Sequence, residues 1–310
     1  MTSPQRVSRQ SARRGSDDHV SIGLPVYNGG DFLAESIQSL IDQTHDNLSI
    51  HISDNCSTDD TEEISRDFAR LDSRVTYHRN VENLGATGNW DRVRDVATGP
   101  YFKWAAHDDV HEPKWVELCL QRLQDDSRIA LAYTTAKVID QHSDVVDVSI
   151  DQGIDGSIAD HRLRFRNFLL NEIWCIPIFG LTRMSLLSKV PRIGKYYGSD
   201  KAVLAELALM GPFAKVEDPL FLRRFHPSNS SQLQGNEARS FQAGMKGISV
   251  PPQIRIFGSY SGAVLRSQLS LADKVKAMGA IAEMLTDREK SAWREEHRVR
   301  LNELGAAPPR

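Results

Sequence analysis

The sequence predicts an α/β fold: a mostly parallel β-sheet flanked by helices. Two observations carry this. Over residues 20–140, short β-rich runs alternate with amphipathic stretches, the order that βαβ units produce. Runs such as "VSIGLPV" and "IALAYTTAKVID" are also apolar at nearly consecutive positions, as strands buried on both faces are. A third observation adds a location. The runs end in the polar clusters Pro25-Val26-Tyr27-Asn28, Asp54-Asn55, Arg79-Asn80 and His107-Asp108-Asp109. Open parallel sheets bind ligands beyond the carboxyl ends of their strands, so these clusters are expected on one rim.

The elements follow in order. The first strand, Val20–Val26, stops at an Asn-Gly-Gly turn. A helix over 31–43 carries Leu33, Ile37, Leu40 and Ile41 on one face. A second strand is expected over 48–55. The helix over 57–71 starts with Ser/Thr caps and acidic residues, which suit the positive end of the helix dipole. A third strand over 74–80 leads through a glycine-bearing turn into a helix within 84–97. A fourth strand spans 100–109. The next helix has Pro113 at its first position, and a fifth strand spans 129–140.

Beyond residue 140 the pattern loosens. A polar loop with a short hairpin precedes a helix from His161 to Asn171. A helix opens at Ser199 and closes at Gly211. Residues 213–231 read as two short strands, and 235–304 as amphipathic helix. The expected division is a disordered arm (1–18), a first half (19–140), a smaller mixed second half (141–234) and a helical extension (235–310).

Composition narrows the classes. The 310 residues are 40% hydrophobic and 25% charged, which argues for a folded chain. A net charge of -3 counts against a nucleic-acid partner. Cys56, Cys119 and Cys175 are far apart, with neither zinc spacing nor a disulfide framework, which suggests the cytoplasm. No run is long and apolar enough to span a membrane, and the arm lacks the apolar core of a secretory signal.

Asp108 and Asp109 carry the most chemistry. Adjacent carboxylates repel, and burying both is costly without donors or a cation. Magnesium or manganese solves this with few carboxylates plus phosphate oxygens. The pairs Asp17-Asp18, Asp59-Asp60 and Asp125-Asp126 read as solvated turns.

Four stretches, "SIGLPVYNGGDFLAESIQSLIDQT", "ISDNCSTDDT", "NLGATGNWDR" and "WAAHDD", occur in this order. Together they resemble the nucleotide-binding half of the inverting family 2 glycosyltransferases, whose GT-A fold is Rossmann-like. The resemblance is strong over 20–140 and weaker over 199–231. It implies that Pro25 and Tyr27 pack against the base and ribose of a nucleotide-sugar donor. It implies that Asp54 accepts the N3–H of a uracil or thymine, a match for an acceptor-only carboxylate; the other reading of Asp54 is a cap on the following turn. Arg79 would meet the diphosphate or the base, and Asn83 and Gly85 would form a backbone turn near the nucleotide. His107-Asp108-Asp109 aligns with the DxD signature, with Asp109 on the metal and Asp108 on the ribose or a metal-bound water. His107 replaces the signature's first Asp, a departure that bears on metal affinity. His226 in "RRFHPSNSS" would lie by the metal.

Asp200 is expected as the catalytic base, with Glu206 in reserve; an acid in the first helical turn is also common for purely structural reasons. Trp174 is expected either in the acceptor pocket or in the core. The implied activity is Mg2+- or Mn2+-dependent inverting transfer from a UDP- or dTDP-sugar to a hydroxyl of a glycan, glycolipid or small acceptor. The alternatives are a sugar-nucleotide binder with a degenerate site and a sugar nucleotidyltransferase. The absence of Lys or Arg in "PVYNGGDF" counts against the second. The amphipathic "SLADKVKAMGAIAEML" suits packing on the core, a homodimer contact or the inner face of a membrane.

Overall fold

A computed structural model describes residues 17–150, 156–171, 175–196, 198–226, 229 and 252–286. Nearly all of the expected arm, Trp174, and residues 235–251 and 287–310 of the extension lie outside the described residues. The first half alternates as expected: β1 (Val20–Val26), α1 (Gly30–Ile41), β2 (Leu48–Asp54), α2 (Thr61–Leu71), β3 (Val75–Arg79), α3 (Gly85–Asp95) and β4 (Tyr101–Trp104). Then come β5 (Val110–His111), α4 (Trp115–Asp125), β6 (Leu131–Ile139), β7 (Val145–Ile150), α5 (His161–Asn171), β8 (Leu181–Arg183) and α6 (Met184–Leu187). The remainder is α7 (Ser199–Met210), β9 (Phe213–Arg224), α8 (Pro252–Arg266) and α9 (Leu271–Thr286).

Among the described residues the nine strands form one sheet, ordered β3-β2-β1-β4-β8-β6-β9-β5, with β7 on β6. β1 to β4 are mutually parallel, as are β6 and β9. β8 joins the two groups, antiparallel to both β4 and β6. Every residue of β1 is buried, Ser21 included, as in a strand covered on both faces. One core layer packs Leu24, Ile37, Ile52, Trp115 and Phe221. The other packs Phe102 and Trp104 with Phe165, Leu204, Val264 and Ile281 from α5, α7, α8 and α9. Thus α8 and α9 cover the second half of the chain. No described helix is long and apolar enough to cross a membrane.

Two expectations about strands need correction. The fourth strand ends at Trp104, not at Asp109. Its ladder closes where the Ala105 N–H donates to Gly23 O (2.8 Å), and the chain then turns into β5, which pairs with β9. The acid pair therefore sits in a turn between two strands. Residues 213–224 form one strand rather than two, but its ladder slips: Val216 faces Thr134, while Phe221 faces Ala136. Pro219, in the slipped stretch, has no N–H to donate to a ladder.

Gly23 lets β1 and α3 approach closely. A Cβ there would lie 2.7 Å from Val93 Cβ and 3.0 Å from Phe102 Cζ. Gly23→Ala is expected to destabilise the fold by about 1–3 kcal/mol, read as a lower urea midpoint at unchanged slope.

Candidate active site

The loops beyond β1 and β2 are zipped together by side chains. Three successive backbone N–H groups, of Asn28, Gly29 and Gly30, donate to Ser57 Oγ, Thr61 Oγ1 and Asp59 Oδ2. Asp59 is thus more than a solvated turn residue. Just before them stand Pro25, on β1 opposite Ser53, and Tyr27, 42% exposed at the rim.

Asp54 ends β2 with no exposed surface. Its Oδ1 accepts the Ser57 N–H (2.8 Å), and its Oδ2 accepts from the Tyr77 hydroxyl and Arg79 Nη1 (both 2.7 Å). The bond to Ser57 is the turn cap weighed in the sequence. Burial, then the bond to Asp54, pushes the Tyr77 phenol well above its ordinary pKa. Arg79 also donates to Ser57 O (2.9 Å), so one guanidinium spans the loop.

Beside them lies a buried amide network that the sequence reading missed in part. Asn89 Oδ1 accepts from Ser53 Oγ (2.6 Å) and Asn80 Nδ2 (2.9 Å), and its Nδ2 donates to Ser53 O (2.8 Å). Asn55 Oδ1 accepts the Leu84 N–H (2.8 Å), and its Nδ2 donates to Asn83 Oδ1 (2.8 Å), which also caps Gly85 N. Gly85 takes φ +75°, a left-handed value that suits glycine. Buried amides must find partners, and these find them on the ends of β1, β2 and β3, anchoring the start of α3. Their only signal in sequence is a surplus of Asn after strands.

The acid turn divides its two carboxylates. Asp108 is the one that meets His226: its Oδ2 lies 3.1 Å from His226 Nε2 and accepts Asn229 Nδ2 at 3.2 Å. Burial opposes its charge, but His107 and then His226 outweigh burial and lower its pKa. Asp109 turns inward. Its Oδ1 accepts the Arg224 N–H of β9 (2.9 Å), and burial plus the Asp108 charge raise its pKa. Behind it Lys103, fully buried, places its Nζ 2.6 Å from His111 Nε2 and 4.1 Å from the centre of the Trp115 ring. Burial brings the Lys103 ammonium down to about 7 and lowers His111 as well. His226 itself is held against the Phe32 ring, 4.6 Å centre to centre.

Among the described residues no three His, Cys, Asp or Glu side chains form a metal cage. Asp108 and His226 nevertheless fit a hard divalent cation that draws its other ligands from phosphate and water. Asp200 lies in the first turn of α7, half-buried, and its Oδ1 accepts the Lys201 N–H (2.9 Å). No hydrogen bond among the described residues joins it to Asp108. Glu206, the reserve base, is committed elsewhere: both its oxygens accept from Arg266 of α8, at 2.9 and 2.7 Å.

A family model described as "Glycosyl transferase family 2" matches residues 21–190. The chain belongs to glycosyl transferase family 2. The matched span holds the strand rim and the acid turn; α7 and β9, which bring Asp200 and His226, lie beyond it. A Haemophilus influenzae protein named as an uncharacterized glycosyltransferase is 25% identical over 70% of this glycosyltransferase and 69% of its own length. Chondroitin synthase of Escherichia coli is 33% identical over 41% of the chain, in a match that takes in only 18% of that larger protein. A Bacillus subtilis protein named as a putative teichuronic acid biosynthesis glycosyltransferase is 28% identical over 41% of the chain and 50% of its own length. Among solved structures, S. aureus TarS 1-349 in complex with UDP-GlcNAc superposes with TM-score 0.64 at 14% identity, over 86% of this chain and 72% of that one. That likeness confirms the GT-A fold expected from the sequence.

Proposed function

We propose that this glycosyltransferase moves a sugar, with inversion, from a UDP or dTDP donor to a hydroxyl of a glycan, glycolipid or small acceptor. The observation that carries the reading is the 3.1 Å approach of Asp108 to His226 at the strand rim, where a donor diphosphate would be held. Asp108 and His226 would hold Mg2+ or Mn2+; when bound, that ion supplies Lewis-acid stabilisation of the departing diphosphate. This moves the metal contact from Asp109, the residue expected from the sequence, to Asp108. Asp109 spends one oxygen on β9 and is held toward its neutral form by burial.

The donor's base is proposed to lie over Tyr27 and against Asp54. Because Asp54 is fully buried and already accepts three hydrogen bonds, a base that uses it would displace Arg79, the most accessible partner at 33% side-chain exposure. Arg79 is then free to face the diphosphate. Asn83 and Gly85 shape the backbone alongside. Asp200 takes the proton of the acceptor hydroxyl as that oxygen attacks the anomeric carbon from the side opposite the diphosphate, which inverts the centre. The names of the chondroitin and teichuronic acid relatives support a polysaccharide pathway. The wide spacing of Cys56, Cys119 and Cys175 in the sequence, with no disulfide framework, supports a cytoplasmic location. The exposed Ile254, Phe257, Leu271 and Val275 of α8 and α9 support a face toward a second copy or a membrane surface.

Calorimetry with UDP-, dTDP- and GDP-sugars, with and without Mn2+, tests the reading. One pyrimidine donor is expected to bind, and to bind about tenfold or more tightly with the metal. Purine preference, or no donor binding by folded protein, would count for a degenerate site.

A further inference from the structure

We infer that Arg224 is the positioning residue of the Asp108–His226 pair, acting through a two-way clasp on the acid turn. The inference rests on the function proposed above. Arg224 ends β9 with its side chain fully buried. Its backbone N–H donates to Asp109 Oδ1 (2.9 Å), and its own Nε donates back to Asp108 O (2.8 Å). One residue therefore grips both acids, one by side chain and the other by backbone. Its carbonyl accepts Asn229 Nδ2 (3.1 Å), the amide group that also donates to Asp108 Oδ2 (3.2 Å).

The rest of the guanidinium ties this clasp to two other parts of the fold, the β6–β7 turn and α1. Nη1 donates to Asp140 O and Ser143 Oγ, both at 2.9 Å, in the turn between β6 and β7. Nη2 donates to Glu35 Oε2 of α1 (2.5 Å). The guanidinium carbon lies 4.8 Å from the centre of the Phe32 ring, the same ring that packs on His226. Arg224 thus contacts the backbone of one proposed ligand and the aromatic support of the other. A shift of Asp108 would strain the Nε bond directly, and a shift of His226 would be felt through the shared Phe32 ring. Such outer contacts orient ligands, and their loss typically lowers metal affinity 10- to 100-fold. Lysine cannot replace the planar fork, since its rotating ammonium cannot hold divergent acceptors at fixed angles.

The test is UDP binding to the full chain by calorimetry, with and without Mn2+, for wild type, Arg224→Met and Arg224→Lys, beside thermal unfolding. The readout is the ratio of the two UDP affinities, which a role confined to fold stability would leave alone. Both variants are expected to lose about tenfold or more of that ratio. Metal-free UDP affinity is expected to stay within about twofold, because among the described residues the hydrogen-bond partners of Asp54 (Ser57, Tyr77 and Arg79) are not those of Arg224. Should Arg224→Met not fold, Glu35→Ala removes a half-exposed partner of the guanidinium and is expected to lower the ratio about threefold. A wild-type ratio preserved in the folded variants overturns the inference alone. A wild type whose UDP affinity ignores Mn2+ overturns the metal reading and the inference with it.

Discussion

Asp200→Asn is expected to cut sugar transfer by about 10²- to 10⁴-fold while donor affinity stays near wild type. An amide has the shape of the carboxylate but cannot take the acceptor proton. The residue stands in the first turn of α7, half-buried, with its Oδ1 accepting its own neighbour's N–H. An acid kept merely to complement the helix dipole contributes about 0.3–1 kcal/mol to stability and little to rate. The two roles thus separate in one experiment: turnover falls steeply under the catalytic role, and only the melting temperature moves under the dipole role. Glu206→Gln serves as the contrast. Its carboxylate is spent on Arg266, so its loss is expected to loosen the α7–α8 contact rather than stop the chemistry.

Asp108→Asn is expected to abolish the Mn2+-dependent part of UDP affinity, a loss of about tenfold or more, with metal-free binding largely kept. The amide keeps the volume but gives up the negative charge that a hard cation requires. Asp109→Asn is expected to lose less, because its amide oxygen can still accept the Arg224 N–H. The opposite ranking, with Asp109→Asn the more damaging to the metal increment, would return the metal contact to Asp109. Titrating UDP into both variants at matched Mn2+ decides between them.

Much of this protein is legible before any coordinates. The alternation through residue 140 is local chemistry: apolar periods, capping residues and glycine turns fix each element within its own window. The strand-end rule then puts Pro25, Tyr27, Asp54 and Arg79 on one rim, and the sheet agrees. The amide network of Asn55, Asn80 and Asn89 was harder to see, because a lone Asn after a strand reads as turn chemistry. Arg224 is harder still: the hydrogen-bond partners of its guanidinium are residues 35, 108, 140 and 143, none near it in the chain.

The sequence by itself determined the fold class, the family and the rim on which chemistry could occur. It also singled out Asp108 and Asp109 as a pair that needs a compensating partner. Which of the two faces outward was decided by the tertiary structure alone. β5 pairs with β9, a strand formed much later in the chain, and that pairing presents the Arg224 N–H to one carboxylate and His226 to the other. Neighbouring side chains at a strand's entry point to opposite sides, so adjacent identical residues acquire opposite environments. No local pattern records which side the late strand will take.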